Sequence, residues 1–155
     1  MAQHTELEIL QKLKNIMEAD SRLEAQIETW FDYIPGQIPA NISYPAVGIG
    51  WLGTERRTHS IGGYVRRTVQ LGIILFVKEY DDKTAQDLRL KLANEVIDFL
   101  DEVNNMQVDD YWIRAVLPAG GLAAEASHNP IASDDTGYVY SALIRFPITY
   151  KKVKG

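Results

Sequence analysis

Four short clusters in this chain have residue types that could do chemistry. Gly48-Ile49-Gly50-Trp51-Leu52-Gly53 has the GxGxxG spacing of a dinucleotide-binding turn. Such a turn needs a strand before the glycines and a helix after them, so that the helix N-terminus meets a pyrophosphate. Here the glycines lie inside or at the end of an apolar stretch, Tyr44 to Leu52, and the residues that follow, Thr54 to Ser60, are polar without helical spacing. The spacing therefore predicts a structural role, in which small residues let another backbone or a large side chain pack close to the strand. His59-Ser60 sets a base beside a nucleophile in sequence, but a catalytic triad is defined by geometry, which adjacency does not supply. His4, His59 and His128 are scattered, and no metal site is expected from them. Asp109-Asp110 and Asp134-Asp135 could hold a cation, yet both sit in turn-like sequence, where Asp bonds to nearby backbone, so turns are expected. No acid/base, nucleophile or metal set emerges; neither an enzyme nor a cofactor is expected.

The strongest polar signal is a basic arm. Between Gly53 and Arg67 stand Arg56, Arg57, Arg66 and Arg67 against one acid, Glu55, with Ile61-Gly62-Gly63-Tyr64 as a flexible tip carrying two apolar side chains. Three readings compete for it: solvated charge that blunts a sheet edge, contact with a neighbouring protein subunit, where Arg and Tyr are enriched, and contact with DNA phosphates. Residues 79 to 110 are strongly acidic, with Glu95, Asp98, Asp101 and Glu102 among ten carboxylates opposed by Lys83, Arg89 and Lys91. The chain turns basic again at Lys151, Lys152 and Lys154. Opposite charges on separate parts of one chain could pair between copies; the plainer alternative is a solvated helix face.

The elements that must position these groups follow from periodicity. Residues 5 to 18 predict a helix, with Leu7, Leu10, Leu13 or Lys14, and Met17 at helical spacing beside Ile9 and Ile16, and Thr5 with Glu8 as a capping box. Ile27, Trp30, Phe31 and Tyr33 suggest a short buried segment; Pro35-Gly36 then turns the chain, and Pro39 and Pro45 keep it extended. Tyr44–Leu52 is a strand. Thr68–Val77 is a second, with Val69, Leu71, Ile73, Leu75 and Val77 on one face. A helix follows from Thr84 to Val103, capped by Thr84 or Asp82, with Leu88, Leu92, Val96, Phe99, Leu100 and Val103 on its apolar stripe and Arg89, Lys91, Glu95, Asp98 and Asp101 on its polar one. A third strand is expected at Tyr111–Leu117, a long loop from Pro118 to Gly137, and a last strand at Tyr138–Tyr150 with Tyr138, Tyr140, Ala142, Ile144, Phe146 and Ile148 on one face. Loops as long as the arm and residues 118 to 137 are usually functional or disordered, and two on one sheet suggest segments that order against a partner. The fold expected is α+β: a single domain over residues 1–155, with a mainly antiparallel sheet of four to five strands, helices packed on one face and a long hairpin arm.

With 155 residues, 46% of them hydrophobic and 24% charged, the chain suits one globular domain with a sizeable core. No run of eighteen apolar residues occurs, so no membrane span is expected. The polar first residues lack the apolar stretch of a signal peptide. Without secretion the sequon Asn41-Ile42-Ser43 has no meaning. The absence of cysteine excludes disulfides and thiolate metal sites and fits a cytosolic origin.

The order of these elements resembles the tail terminator, or tail completion, proteins of long-tailed bacteriophages, and is similar to the small neck proteins of contractile-tailed, Mu-like phages. The helix Glu6–Met17, the stretch Tyr44-Pro45-Ala46-Val47-Gly48-Ile49, the strand Thr68–Val77, the helix Thr84–Val103 and the strand Tyr138–Tyr150 carry the likeness over most of the chain. The resemblance implies a structural virion protein without catalytic residues, assembled in the host cytoplasm and resident in the virion neck. It implies a ring of this chain, usually six copies, that caps the tail tube protein, ends its growth and offers a surface to the head connector protein, with double-stranded DNA passing through the hole without sequence specificity. Such a ring needs head-to-tail contacts that close on themselves. The arm (Arg56, Arg57, Ile61, Tyr64, Arg66, Arg67) is then expected to reach a neighbour's acidic helix face (Glu95, Asp98, Asp101, Glu102) or the lumen. The alternatives are a head-completion or connector ring, and a non-viral α+β domain that binds a small ligand.

Overall fold

The computed structural model describes residues 5–39, 41–57, 64–102, 105–108, 111–114 and 123–153. His4, His59, Ser60, the tip residue Ile61, Val103, the pair Asp109-Asp110 and Lys154 lie outside them. The elements run, in order, α1 (Thr5–Ala19), α2 (Ser21–Glu24), β1 (Thr29–Phe31), β2 (Ala46–Arg57), β3 (Tyr64–Glu79), α3 (Asp82–Glu102), β4 (Asn105–Val108), β5 (Tyr111–Arg114), β6 (Ala123–Ala126), β7 (Ala132–Asp134) and β8 (Gly137–Val153). All strands join one sheet, β1-β2-β3-β8-β5-β4, with β6 and β7 also paired to β8. The β1–β2 pair is parallel and the other pairs are antiparallel. The α+β class and the mainly antiparallel sheet agree with the sequence reading; the strand segments exceed the four or five expected because β4, β6 and β7 are short pieces with weak patterns of their own.

Strands β3 and β8 form the spine. Their alternation buries Val69, Leu71, Ile73, Leu75 and Val77 from one and Tyr140, Ala142, Ile144, Phe146, Ile148 and Tyr150 from the other on a single face. That face packs under the helices, in one cluster with Ile9, Leu13 and Met17 of α1 and Leu92, Val96, Phe99 and Leu100 of α3. Each fully buried aliphatic side chain contributes on the order of 1.5–3 kcal/mol. Leu7, expected on the buried stripe, is instead half exposed, since Ile9, Leu10, Leu13 and Met17 complete the inward face without it. Asp81, rather than Thr84 or Asp82, caps α3: its Oδ2 accepts from the Thr84 amide at 2.9 Å and the Thr84 hydroxyl at 2.6 Å.

On the opposite face Phe31, Ile38, Ile42 and Tyr44 pack on Ala46, Phe76 and Val139. The glycines of the GxGxxG stretch make this possible. A Cβ on Gly48 would lie 2.6 Å from the Tyr33 carbonyl oxygen, and one on Gly50 would lie 2.6 Å from the Ile34 side chain. The chain continues as strand to Arg57 with no helix behind the glycines, so their role is close packing, as the sequence context predicts.

Within the expected loop from Pro118 to Gly137, the described residues, from 123 onward, hold two short strands, β6 and β7. β5, β6 and β7 follow one another along the same side of β8, with Ile113 opposite Tyr150, Ala124 opposite Ile144 and Ala132 opposite Val139. The pairing comes from β8, a long ready-made edge, and needs only backbone groups from its partner. At the β7–β8 turn, Asp134 Oδ1 accepts from the Thr136 amide at 2.8 Å and its hydroxyl at 2.7 Å, so Asp134-Asp135 is a turn and not a cation site. Gly137 follows at φ 147°, a conformation side chains rarely adopt. Among the described residues no helix is long and apolar enough to cross a membrane.

Candidate functional site

The arm is sheet. The β2–β3 ladder continues past the core to the pairs Arg56↔Arg67 and Arg57↔Arg66, and β8 extends beside it, with Lys151 opposite Arg66, Lys152 opposite Val65 and Val153 opposite Tyr64. Polar sequence does not end these strands, because the ladder is made by backbone groups. Pairing across three strands therefore places Arg57, Arg66 and Lys151 in one row and Arg56, Arg67 and Tyr150 in the next. Sequence reasoning kept the arginines and the basic C-terminal residues apart; the register joins them. Like-charged residues at directly opposed positions are unfavourable neighbours in a sheet.

The root of this ribbon is anchored. Tyr150 is buried and its hydroxyl donates to Glu6 Oε1 at 2.8 Å, tying β8 to α1. Burial and that bond push the Tyr150 pKa up to about 12, while the Arg67 guanidinium, bonded to the same oxygen, opposes the rise. On the β2 side an irregularity between Trp51 and Gly53 inserts Leu52 as an extra residue. Leu52 lies over Gly72, beside Leu143, where a Cβ on Gly72 would meet it at 3.0 Å. Trp51 is 59% exposed, its indole N–H donating to Thr54 Oγ1 at 2.8 Å. The ribbon thus leaves the core with exposed Trp51 and Leu52 at its base.

The four acidic positions on α3 divide into two pairs. Glu95 accepts from Gln26 Nε2, and Glu102 takes a two-pronged contact from Arg22, Nη1 at 3.1 Å and Nη2 at 2.8 Å. Arg22 is held by Asp20, the N-cap of α2, and these carboxylates raise its pKa further while Asp20 falls below the usual range, chiefly through its bond to Arg22. The last turn of α3 has no basic residue of its own, so Arg22 supplies the cation that a helix C-terminus favours. Asp98 and Asp101 are exposed and carry no ion pair among the described residues. The acidic surface free to meet a partner is thus smaller than the sequence suggests.

Arg89 overturns one assignment. Expected on the polar stripe of α3, it is 1% exposed. Its Nε donates to the Ala85 carbonyl at 3.3 Å, and its Nη1 donates to the Ser127 and Ser141 carbonyls, the latter at 2.8 Å. Its guanidinium carbon sits 5.1 Å from the centre of the Tyr140 ring. The cause lies in the sheet: the chain leaves β8 between Ser127 and Ile131, and Arg89 fills the gap from beneath. Its spacing with Ala85, Leu92, Ala93 and Val96 was the available signal, but alanines make a faint stripe. Beside it, α3 and the β6 segment flank a half-open pocket of about 280 Å3, lined by Leu90, Ala93 and Ala124 and also by Gln86, Asp87, Glu125 and His128. Among the described residues no three His, Cys, Asp or Glu gather in a metal-binding cluster.

A scan against protein-family models and a search of curated proteins each return no match to this chain.

Proposed function

We propose that this chain is a structural ring subunit of the tail terminator kind, which caps a phage tail tube, ends its polymerisation and presents the surface for head attachment in the virion neck. The observation that carries the reading is the register that sets Arg57, Arg66 and Lys151 opposite one another across three strands, beyond the buried Val69 and Tyr150. A fold that needed only to be stable gains nothing from three neighbouring cations; an anionic partner turns that cost into binding energy. Two partners fit. One is the exposed Asp98 and Asp101 of the next copy, a heterologous contact of the sort that closes a ring. The other is the phosphate backbone of DNA in the lumen, where the same few cations are repeated by every copy and no base is read. Exposed Trp51 and Leu52 at the ribbon base offer the apolar centre that a subunit contact needs. Nothing in this reading requires catalysis, a cofactor or a membrane.

The test is the triple variant R57E/R66E/K151E, which leaves Arg67 with Tyr150. Light scattering and negative-stain microscopy, with and without purified tail tubes, should show annular oligomers or capped tubes for the unaltered chain and neither for the variant, whose circular dichroism spectrum stays the same. An unaltered chain that remains monomeric and ignores tail tubes overturns the proposal, as do rings and caps that survive the triple change.

A further inference from the structure

Two open edges of the sheet stand at nearly the same height on opposite sides of the molecule. β1 covers β2 only from Ala46 to Gly48, and β6 pairs with β8 alone. Among the described residues, β2 beyond Gly48 and the outer side of β6 therefore have no further strand. Such edges are templates for another chain. Trp51 lies opposite Leu71, and Leu71 lies opposite Phe146. Ala124 lies opposite Ile144. Phe146 and Ile144 are neighbours on the buried face of β8, about 7 Å apart along a strand. Leu71, Phe146, Ile144 and Ala142 all belong to the core under the helices. Directly opposed residues share a face, so Trp51, Ala124 and Ala126 are all on the helix side. The directions also match. β2 and β8 both run antiparallel to β3, and β6 runs antiparallel to β8. A second copy set beside the first in the same orientation lays its β2 antiparallel to β6.

Each edge holds what the other lacks. At β2, Trp51 exposes a large aromatic surface. At β6, the half-open pocket has Leu90 and Ala93 at its centre, with Gln86, Asp87, Glu125 and His128 around them. An apolar centre within a polar rim is the anatomy of a subunit contact. Arg89 offers the pocket no donor, since its Nε and Nη1 are bonded to carbonyls and its Nη2 is sealed from solvent. The charges match too. α3 begins just after β3 ends and packs back over the sheet, so its C-terminal half points towards the basic ribbon end. Leu90, Asn94, Asp98 and Asp101 fall on one exposed stripe of it. From Leu90 to Asp98 is about 12 Å along a helix. From Trp51 to Arg56 is roughly 13 Å along a strand with one bulged residue. Arg56 shares its row with Arg67 and the buried Tyr150, on the same side as Trp51.

We propose that Trp51 of one copy seats in the pocket between α3 and β6 of the next, which sets Arg56 of the first copy at Asp98 and Asp101 of the second. The contact is head-to-tail, because its two halves are different surfaces on opposite edges. It names the interface of the ring reading above and rests on that reading.

The chain has no cysteine, so cross-linking can be aimed beside the contact without altering Trp51 or Leu90. Thr54→Cys and Asn94→Cys are made as separate variants at exposed positions, mixed under ring-forming conditions, with tail tubes where these are required, and treated with a short bismaleimide. The mixture should give covalent dimers and either variant alone should give none; the double variant T54C/N94C should give a ladder of multimers. Trp51→Ala should raise the concentration for half-assembly at least about tenfold, as loss of a central aromatic does, with an unchanged circular dichroism spectrum. Arg56→Glu should also weaken assembly, and adding D98R/D101R to it should restore assembly. Rings or caps that form without the cross-link, undiminished assembly of Trp51→Ala, or a charge exchange that restores nothing would overturn this contact and leave the ring reading standing. An unaltered chain that neither assembles nor caps tail tubes overturns both.

Discussion

The two ends of the β3–β8 pair follow opposite rules. Where β8 begins, charges are matched within the chain. Lys78 pairs with Asp134 and lies 5.6 Å from the centre of the Tyr44 ring. Tyr80 donates to the Asp135 carbonyl and meets Tyr138 edge to face, centroids 6.3 Å apart. Where β8 ends, Arg57, Arg66 and Lys151 stand in a row of one sign. The strands, ladder and sheet are the same. One end pairs its charges within the molecule; the other brings like charges to neighbouring register positions.

That contrast can be broken in the middle, at the far end and at the near end, in falling order of effect. The core between the two ends sets the scale: Ile73→Ala removes a fully buried side chain and should cost about 2–5 kcal/mol in urea unfolding. At the ribbon, Arg66→Thr should move stability by less than about 1 kcal/mol, and upward, because it relieves two like-charge neighbours. A clear loss of stability in the same urea experiment would mean that the row is satisfied inside the molecule and the contrast is false. At the near end, the bond from Lys78, with help from Thr136, holds the Asp134 pKa down at about 2. A folded-state pKa below the unfolded value adds stability at higher pH that disappears as Asp134 takes up its proton. Melting temperature should therefore fall from roughly pH 4 towards pH 2. Asp134→Asn should flatten that limb slightly, since the pair is exposed to solvent; an unchanged acid limb would show that this end is not held by charge.

What could be read from the sequence was what repeats. Val69 to Val77 and Tyr140 to Ile148 alternate over enough residues to define both strands and the face they bury, and α3 shows its stripe from Leu88 to Leu100. The packing role of Gly48 and Gly50 was legible because the residues after them could not form the helix that a nucleotide turn needs. The remainder depended on partners distant in sequence. β6 is four exposed residues, Ala123 to Ala126, which become strand because β8 presents an unpaired edge. The basic row is visible only once Arg66 is known to face Lys151. Arg89 was misread because its polarity outweighed its position, and nothing near it in sequence announces that the Ser127 and Ser141 carbonyls will accept from it. The cavity was illegible for the same reason: its two walls are separated by the whole of β4 and β5.

β8 also decides how the molecule answers a pull. It is bonded to β3 from Tyr138 to Val153 on one side and to β5, β6 and β7 on the other. Tension applied to the ribbon along its axis meets those hydrogen bonds in shear, so they must fail together rather than one after another. A tug at the tip is spread over the length of the sheet, and the resistance is a matter of unfolding rate more than of equilibrium stability.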